Sequence, residues 1–154
     1  MEKQTVACAE RMIVVVEELD RRVPLALRRA RSLTSDICAF SVFLDDAQEQ
    51  ELRQRWSEMA PEVPLILMRS PNGGIAEPLL EYLMSMESLR IDEPVVTVLL
   101  PRLIGANWWG RLLRSDKSKY LEHRLLEEGF QVEVFPIYLK NDHAALAADK
   151  ALHW

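Results

Sequence analysis

The sequence predicts an α/β domain in which a five-stranded, mainly parallel sheet carries helices on both faces. Three observations lead there. Short β-branched and aliphatic runs recur along the chain, segments with helical apolar spacing separate them, and turn residues mark the joins. Strands that alternate with helices in this way imply βαβ crossovers, which build a parallel sheet covered on both sides.

Each element has its own signal. Met12 to Val16 is apolar at successive positions, as a strand buried on both faces requires. A helix follows, with Asp20 as its expected N-cap, Pro24 in its first turn and Leu25, Leu27, Ala30 and Leu33 as its stripe, before Thr34-Ser35-Asp36 break it. Ile37 to Leu44 reads as the second strand. Asp45-Asp46 cap a helix running from Gln48 to Met59, with Leu52, Trp56 and Met59 on one face, and Pro61 stops it. Val63 to Met68 is the third strand, Asn72-Gly73-Gly74 a turn, and Ile75 to Met86 a helix with an Ile75, Leu79, Leu83, Met86 face. Val95 to Leu100 is the fourth strand, with the turn Pro101-Arg102-Leu103-Ile104-Gly105 after it. A helix around Ser115 to Glu128 ends at Gly129, suited to a left-handed C-cap, and Val132 to Tyr138 closes the sheet as its outermost strand.

The chain divides into residues 1–10 as an N-terminal extension, 11–139 as the domain, and 140–154 as a tail whose Ala144-Ala145-Leu146-Ala147-Ala148 reads as a short appended helix. With 154 residues, 49% of them apolar, it fits one domain able to bury its own core. Its apolar runs fall far short of the ~20 residues that cross a bilayer, and no export signal opens it. Cys8 and Cys38 lie far apart, outside any CxxC, as expected of reduced thiols in the cytoplasm.

A formal charge of −5 argues against a nucleic-acid partner, which needs a cationic surface to displace counterions. The charge is unevenly distributed. Arginines crowd Arg21 to Arg31, and further cations crowd Arg102 to Arg124, while acids gather at Asp45 to Glu51, Glu58 to Glu62 and Glu87 to Glu93. This layout suits either solvated helix faces or the holding of an anion.

Two places stand out as sites. In parallel sheets ligands gather where strands end. After the fourth strand come Trp108, Trp109, Arg111 and Arg114, an amphipathic basic feature that reads as a docking surface or, on the simpler view, as a core anchor beside a partly exposed lid. After the third strand, Ser70, Asn72, Gly73 and Gly74 make either a plain turn or an anion-favouring mouth at a helix N-terminus. Glu17, Glu18 and Asp20 follow the first strand, where this kind of fold reads a base or ribose and where helix capping is the ordinary role. His123, His143 and His153 have no shared ligand spacing, so no metal site is expected, and no GxSxG, Walker or HExxH motif marks an enzyme.

The order of elements resembles the universal stress protein fold. The runs Arg11 to Arg22 and Leu27 to Leu33, the Ser70-Pro71 ahead of Pro78-Leu79-Leu80-Glu81-Tyr82, and Val96 to Pro101 leading to Asn107-Trp108-Trp109-Gly110-Arg111-Leu112-Leu113 are similar to the cytosolic C-terminal domain of bacterial amino acid permease-like transporters of the amino acid, polyamine and organocation superfamily. The resemblance covers about residues 11–139. It implies a regulatory or dimerisation domain attached to a transmembrane transporter body at the cytoplasmic side of the membrane, and so a piece or truncated product of a longer protein.

Related domains bind cyclic di-AMP or ATP, so the resemblance implies a nucleotide ligand, cyclic di-AMP first and ATP second. ATP-binding stress proteins carry a Gly-x2-Gly-x9-Gly-Ser/Thr loop, a spacing this sequence lacks. The nucleotide-contacting residues expected are Glu17, Asp20, Arg69, Ser70, Asn72, Gly73, Gly74, Arg102 and Lys117. A homodimer is expected through the edge of the last strand, since pairing with a second copy removes an exposed edge. A free-standing nucleotide-binding module and a ligand-free structural dimerisation domain are the alternatives.

Overall fold

The computed structural model describes residues 11–89, 95–104 and 108–138, without the side chains of 87–89 and 108–117. The proposed N-terminal extension and the C-terminal tail lie outside the described residues. Nine elements alternate along the chain: β1 (Arg11–Val15), α1 (Arg22–Arg31), β2 (Ile37–Phe43), α2 (Asp46–Met59), β3 (Leu65–Arg69), α3 (Ala76–Leu89), β4 (Val96–Ile104), α4 (Trp108–Glu127) and β5 (Gln131–Tyr138). The strands form one sheet of order β3-β2-β1-β4-β5, parallel throughout, with β5 outermost as expected. The chain therefore builds outward from β1 in one direction, returns, and builds in the other.

That reversal sorts the helices. Same-handed crossovers running in opposite directions along a sheet lay their helices on opposite faces. On one face Met12, Val14 and Val16 meet Val23, Ala26, Leu27 and Ala30 of α1 and Trp56 of α2. On the other, Ile13, Val15, Val98 and Leu100 meet Leu79, Leu80 and Leu83 of α3 and Leu121 and Leu125 of α4. β1 thus sends every side chain from Met12 onward into one core or the other, which explains its unbroken apolar run.

Local chemistry sets the helix ends. Asp45 is the N-cap of α2, extended at φ −146° and ψ 176°, and its carboxylate accepts from Gln48 N at 2.9 Å. Gln48 reaches back so that its Oε1 accepts from Leu44 N at 2.6 Å. Gly129 takes φ +88° beyond α4, where Gly129 N and Phe130 N donate to Leu126 O and Leu125 O.

Four expectations need correction. The N-cap of α1 is Arg21, one residue later than expected; Asp20 accepts from Arg22 N at 2.9 Å and grips the Arg22 guanidinium instead. Leu33 lies beyond α1 and is 39% exposed, and the buried stripe is Val23, Ala26, Leu27 and Ala30. On α2 only Trp56 is fully buried, because this helix covers the sheet near its β3 edge, where one large ring suffices. Lastly, β4 runs on through Ile104, and the stretch from Pro101 expected to turn is strand.

The ladder explains how a proline fits inside β4. Arg11 N donates to Val95 O, so odd-numbered residues of β4 face β1. Pairing with β1 ends at Leu99, so the missing N–H of Pro101 falls at the end of that ladder, opposite Val15, the last residue of β1. Beyond that point β5 alone carries the ladder, from Thr97 paired with Gln131 to Ile104 paired with Tyr138.

Trp56 anchors the outer helix: its ring is 4% exposed and Nε1 donates to Val63 O at 2.8 Å. Trp56→Ala is expected to cost about 3–5 kcal/mol, as other large-to-small core changes do. Trp56→Phe, which keeps most of the ring and loses the hydrogen bond, should cost about 1–3 kcal/mol. Urea unfolding of the two variants checks the order.

Candidate functional site

β1 and β4 lie side by side but lead to helices on opposite faces, so a crevice opens past their C-terminal ends. A cleft of about 490 Å³ lies there, lined by Glu17 and Glu18 after β1, Val42 of β2, the turn Asn72 to Ala76 leading into α3, and Tyr120 and Leu121 of α4. A narrower recess beside it, between Val14 to Glu18 and Leu100-Pro101, reaches Arg22 and Ser118.

The turn into α3 is held from within. Ser70 is 2% exposed; its hydroxyl donates to Gly74 O at 2.6 Å and lies 3.1 Å from Asn72 Oδ1. Gly73 N donates to Ser70 O and Gly74 N to Asn72 Oδ1, both at 2.9 Å. Gly73 adopts φ +80°, a conformation that favours glycine. The two glycine amides expected to cradle an anion are thus engaged in forming the turn. Asn72, Gly73 and Gly74 line the cleft, while Ser70 supports it from beneath.

The arginines are engaged as well. Arg22, 13% exposed at its side chain, forks onto Asp20 at 2.8–3.1 Å and lies 3.6 Å from Glu18. Burial works to lower its pKa, but the hydrogen bonds and charge of Asp20, with Glu17 and Glu18 behind, raise it, so Arg22 stays charged. Arg69 reaches Asp46 at 2.6 Å and Leu44 O at 3.3 Å, and lies over the Phe43 ring. Arg102 donates to Ser118 Oγ at 2.8 Å and Glu122 Oε1 at 2.7 Å, fastening α4 to β4. Arg124 pairs with Glu77, tying α4 to the first turn of α3 beside the cleft.

Of the residues expected at a nucleotide, Glu17, Asn72, Gly73 and Gly74 therefore meet at one cleft. Asp20, Arg69 and Arg102 do not line it: Asp20 is bound to Arg22, Arg69 closes the loop between β2 and α2, and Arg102 lies in strand rather than in the expected turn. The Lys117 side chain lies outside those described. So do the side chains of Trp108, Trp109, Arg111 and Arg114; their backbone forms the first turns of α4, not a loop after β4. Sequence reasoning missed Tyr120, 54% exposed, and Val42. The available signal for Tyr120 was an aromatic residue next to a core leucine on the helix that returns past the crevice.

Among the described residues no group of three His, Cys, Asp or Glu side chains is arranged to hold a metal, and no helix is long and apolar enough to cross a membrane. Fold and cleft together define a doubly wound, Rossmann-like α/β domain with an open crevice at its switch point. The chain belongs to the KimA potassium transporter C-terminal domain family, which it matches over residues 8–135. It is 27% identical over 131 residues to the potassium transporter KimA of Bacillus subtilis (strain 168). The match takes in 84% of this chain and 22% of that relative, so the chain spans about a fifth of the transporter's length. The expectation of a transporter's C-terminal domain is met at that level, and the matching transporters are named for potassium.

Cys38 lies on β2 against the α3 side of the sheet, and burial pushes its thiol up to about 11. An acid whose pKa rises on folding stabilises the fold below its unfolded pKa and loses that contribution as pH climbs through the folded value. Stability should therefore fall between about pH 9 and pH 11, and Cys38→Ala should flatten that fall; melts across this range read it.

Proposed function

We propose that this chain is the cytosolic regulatory domain of a potassium transporter, and that a nucleotide in the cleft between α3 and α4 shifts the transporter between states of different activity. Family membership supports the attachment to a membrane body, and potassium as cargo follows the relative's name; an amino acid cargo is the alternative. The observation that carries the ligand reading is the cleft itself, placed at the switch point and roofed by an exposed tyrosine. A base enters against Tyr120 with its donor groups toward Glu17 and Glu18. Phosphates are directed away from the engaged amides of Gly73 and Gly74, toward the start of α4. Cyclic di-AMP is the first candidate and ATP the second. The domain acts by linkage, as a non-enzyme: a ligand favouring one arrangement of domain and body shifts the population of both. Dimerisation belongs to the same reading, because a second copy offers the two-fold partner that a ligand can bias.

A ligand-free dimerisation domain is the second reading, favoured by the engagement of Arg22, Arg69 and Arg102 with this chain's own acceptors. Calorimetry with cyclic di-AMP and ATP at near-physiological salt separates the two. Binding of cyclic di-AMP is expected, weakened about tenfold by Tyr120→Ala through the loss of one base stack worth ~1–3 kcal/mol. No heat with either nucleotide at hundreds of micromolar leaves the dimerisation reading.

A further inference from the structure

Asn72 carries a reactivity that the cleft does not use. Of the three asparagines in the sequence it alone precedes glycine; Asn107 precedes Trp108 and Asn141 precedes Asp142. A backbone nitrogen can attack the carboxamide carbon of the asparagine before it, and a glycine, having no Cβ, leaves that nitrogen unhindered. Asn72, Gly73 and Gly74 are all exposed, so hydroxide and water reach the pair.

The turn into α3 sets the geometry of that attack. Gly73 N donates to Ser70 O at 2.9 Å, which closes a turn with Asn72 in its third place, and Asn72 has no positive φ, as in type I. In such a turn ψ at the third place is about 0°, so Gly73 N lies alongside the Asn72 nitrogen; ring closure needs it swung about a third of a revolution round, alongside Cβ. That rotation breaks the bond from Gly73 N to Ser70 O and the bond from Gly74 N to Asn72 Oδ1, also 2.9 Å. Beneath them Ser70, 2% exposed, donates its hydroxyl to Gly74 O at 2.6 Å and resists the same movement. The proton that must leave Gly73 N is the one held by Ser70 O.

We propose that Asn72 is a spontaneous deamidation site of this domain, held in check by the closed turn and released when the turn opens. Hydroxide removes the Gly73 N–H proton, the nitrogen forms a bond to Asn72 Cγ, and the Cγ–Nδ2 bond breaks. Nδ2 leaves as ammonia, taking a proton from water and so returning the hydroxide. Water then opens the five-membered imide at either carbonyl. Breaking the bond from Gly73 N to Cγ gives aspartate; breaking the bond from Gly73 N to the main-chain carbonyl carbon of residue 72 gives isoaspartate. Both products add a negative charge to the cleft that Glu17 and Glu18 line. They differ at the turn, since aspartate keeps an oxygen for Gly74 N, whereas isoaspartate lengthens the main chain by one carbon and cannot close it. The inference does not rest on the ligand reading, although an anion in the cleft would be repelled by either product.

The test incubates the whole chain at mildly alkaline pH, folded and in guanidinium chloride, and follows each asparagine by mass spectrometry of the digested protein. In denaturant Asn72 should deamidate well ahead of Asn107 and Asn141. In the folded chain it should react about 25-fold more slowly than in denaturant, because two hydrogen bonds must open and each contributes about fivefold. Ser70→Ala should raise the folded rate about fivefold with an unchanged circular dichroism spectrum. Hydrogen exchange at Gly73 N reads the same opening, and slow exchange there supports the gate even if Ser70→Ala fails to fold. Equal rates with and without denaturant, faster reaction at Asn107 or Asn141 in denaturant, an unprotected Gly73 amide, or a folded Ser70→Ala that reacts no faster than the wild type overturns the inference.

Discussion

Every other part of this domain is placed by the insertion of β1 between β2 and β4. A strand in that position must be apolar on both faces, and Met12 to Val16 meet that demand without a break. The same position makes the chain reverse direction across the sheet, which puts α1 and α2 on one face and α3 and α4 on the other. Crevice and core are consequences of one constraint: the helices diverge where β1 and β4 end, and the gap between them cannot be filled by the sheet.

Polar contacts then fix the elements around that gap. Ser41 Oγ donates to Val16 O at 2.6 Å where β1 ends, inside the core. Arg102, only 13% exposed, joins β4 to Ser118 and Glu122 of α4, and a partly buried charge of this kind must find partners in place. Arg22 is held by Asp20 at the foot of α1. These contacts hold α1 and α4 in place beside the crevice, whose cleft is lined by Glu17, Asn72 and Tyr120 among others.

The edges follow a different rule from the interior. Among the described residues the sheet has two edge strands, and it builds them unequally, with a proline and a clamped glutamate on β5 and a plain aliphatic run on β3. Such asymmetry matters when a second strand approaches.

The sequence by itself determined the fold class, the order of the elements and the caps at Asp45 and Gly129, because apolar periodicity and capping chemistry are local properties carried by neighbouring residues. Part of the site was legible for the same reason: Glu17 and the turn at Asn72 to Gly74 lie just past strand ends. Tertiary structure alone decided the rest. Whether Arg69 and Arg102 are available to a ligand depends on Asp46, Ser118 and Glu122, the last two distant in the chain from Arg102. That Pro101 continues a strand depends on β1 ending beside it, and that Tyr120 faces the cleft depends on how α4 lies across the sheet. Partners brought together by folding leave no trace in local spacing, which is why charge and motif alone did not show these contacts.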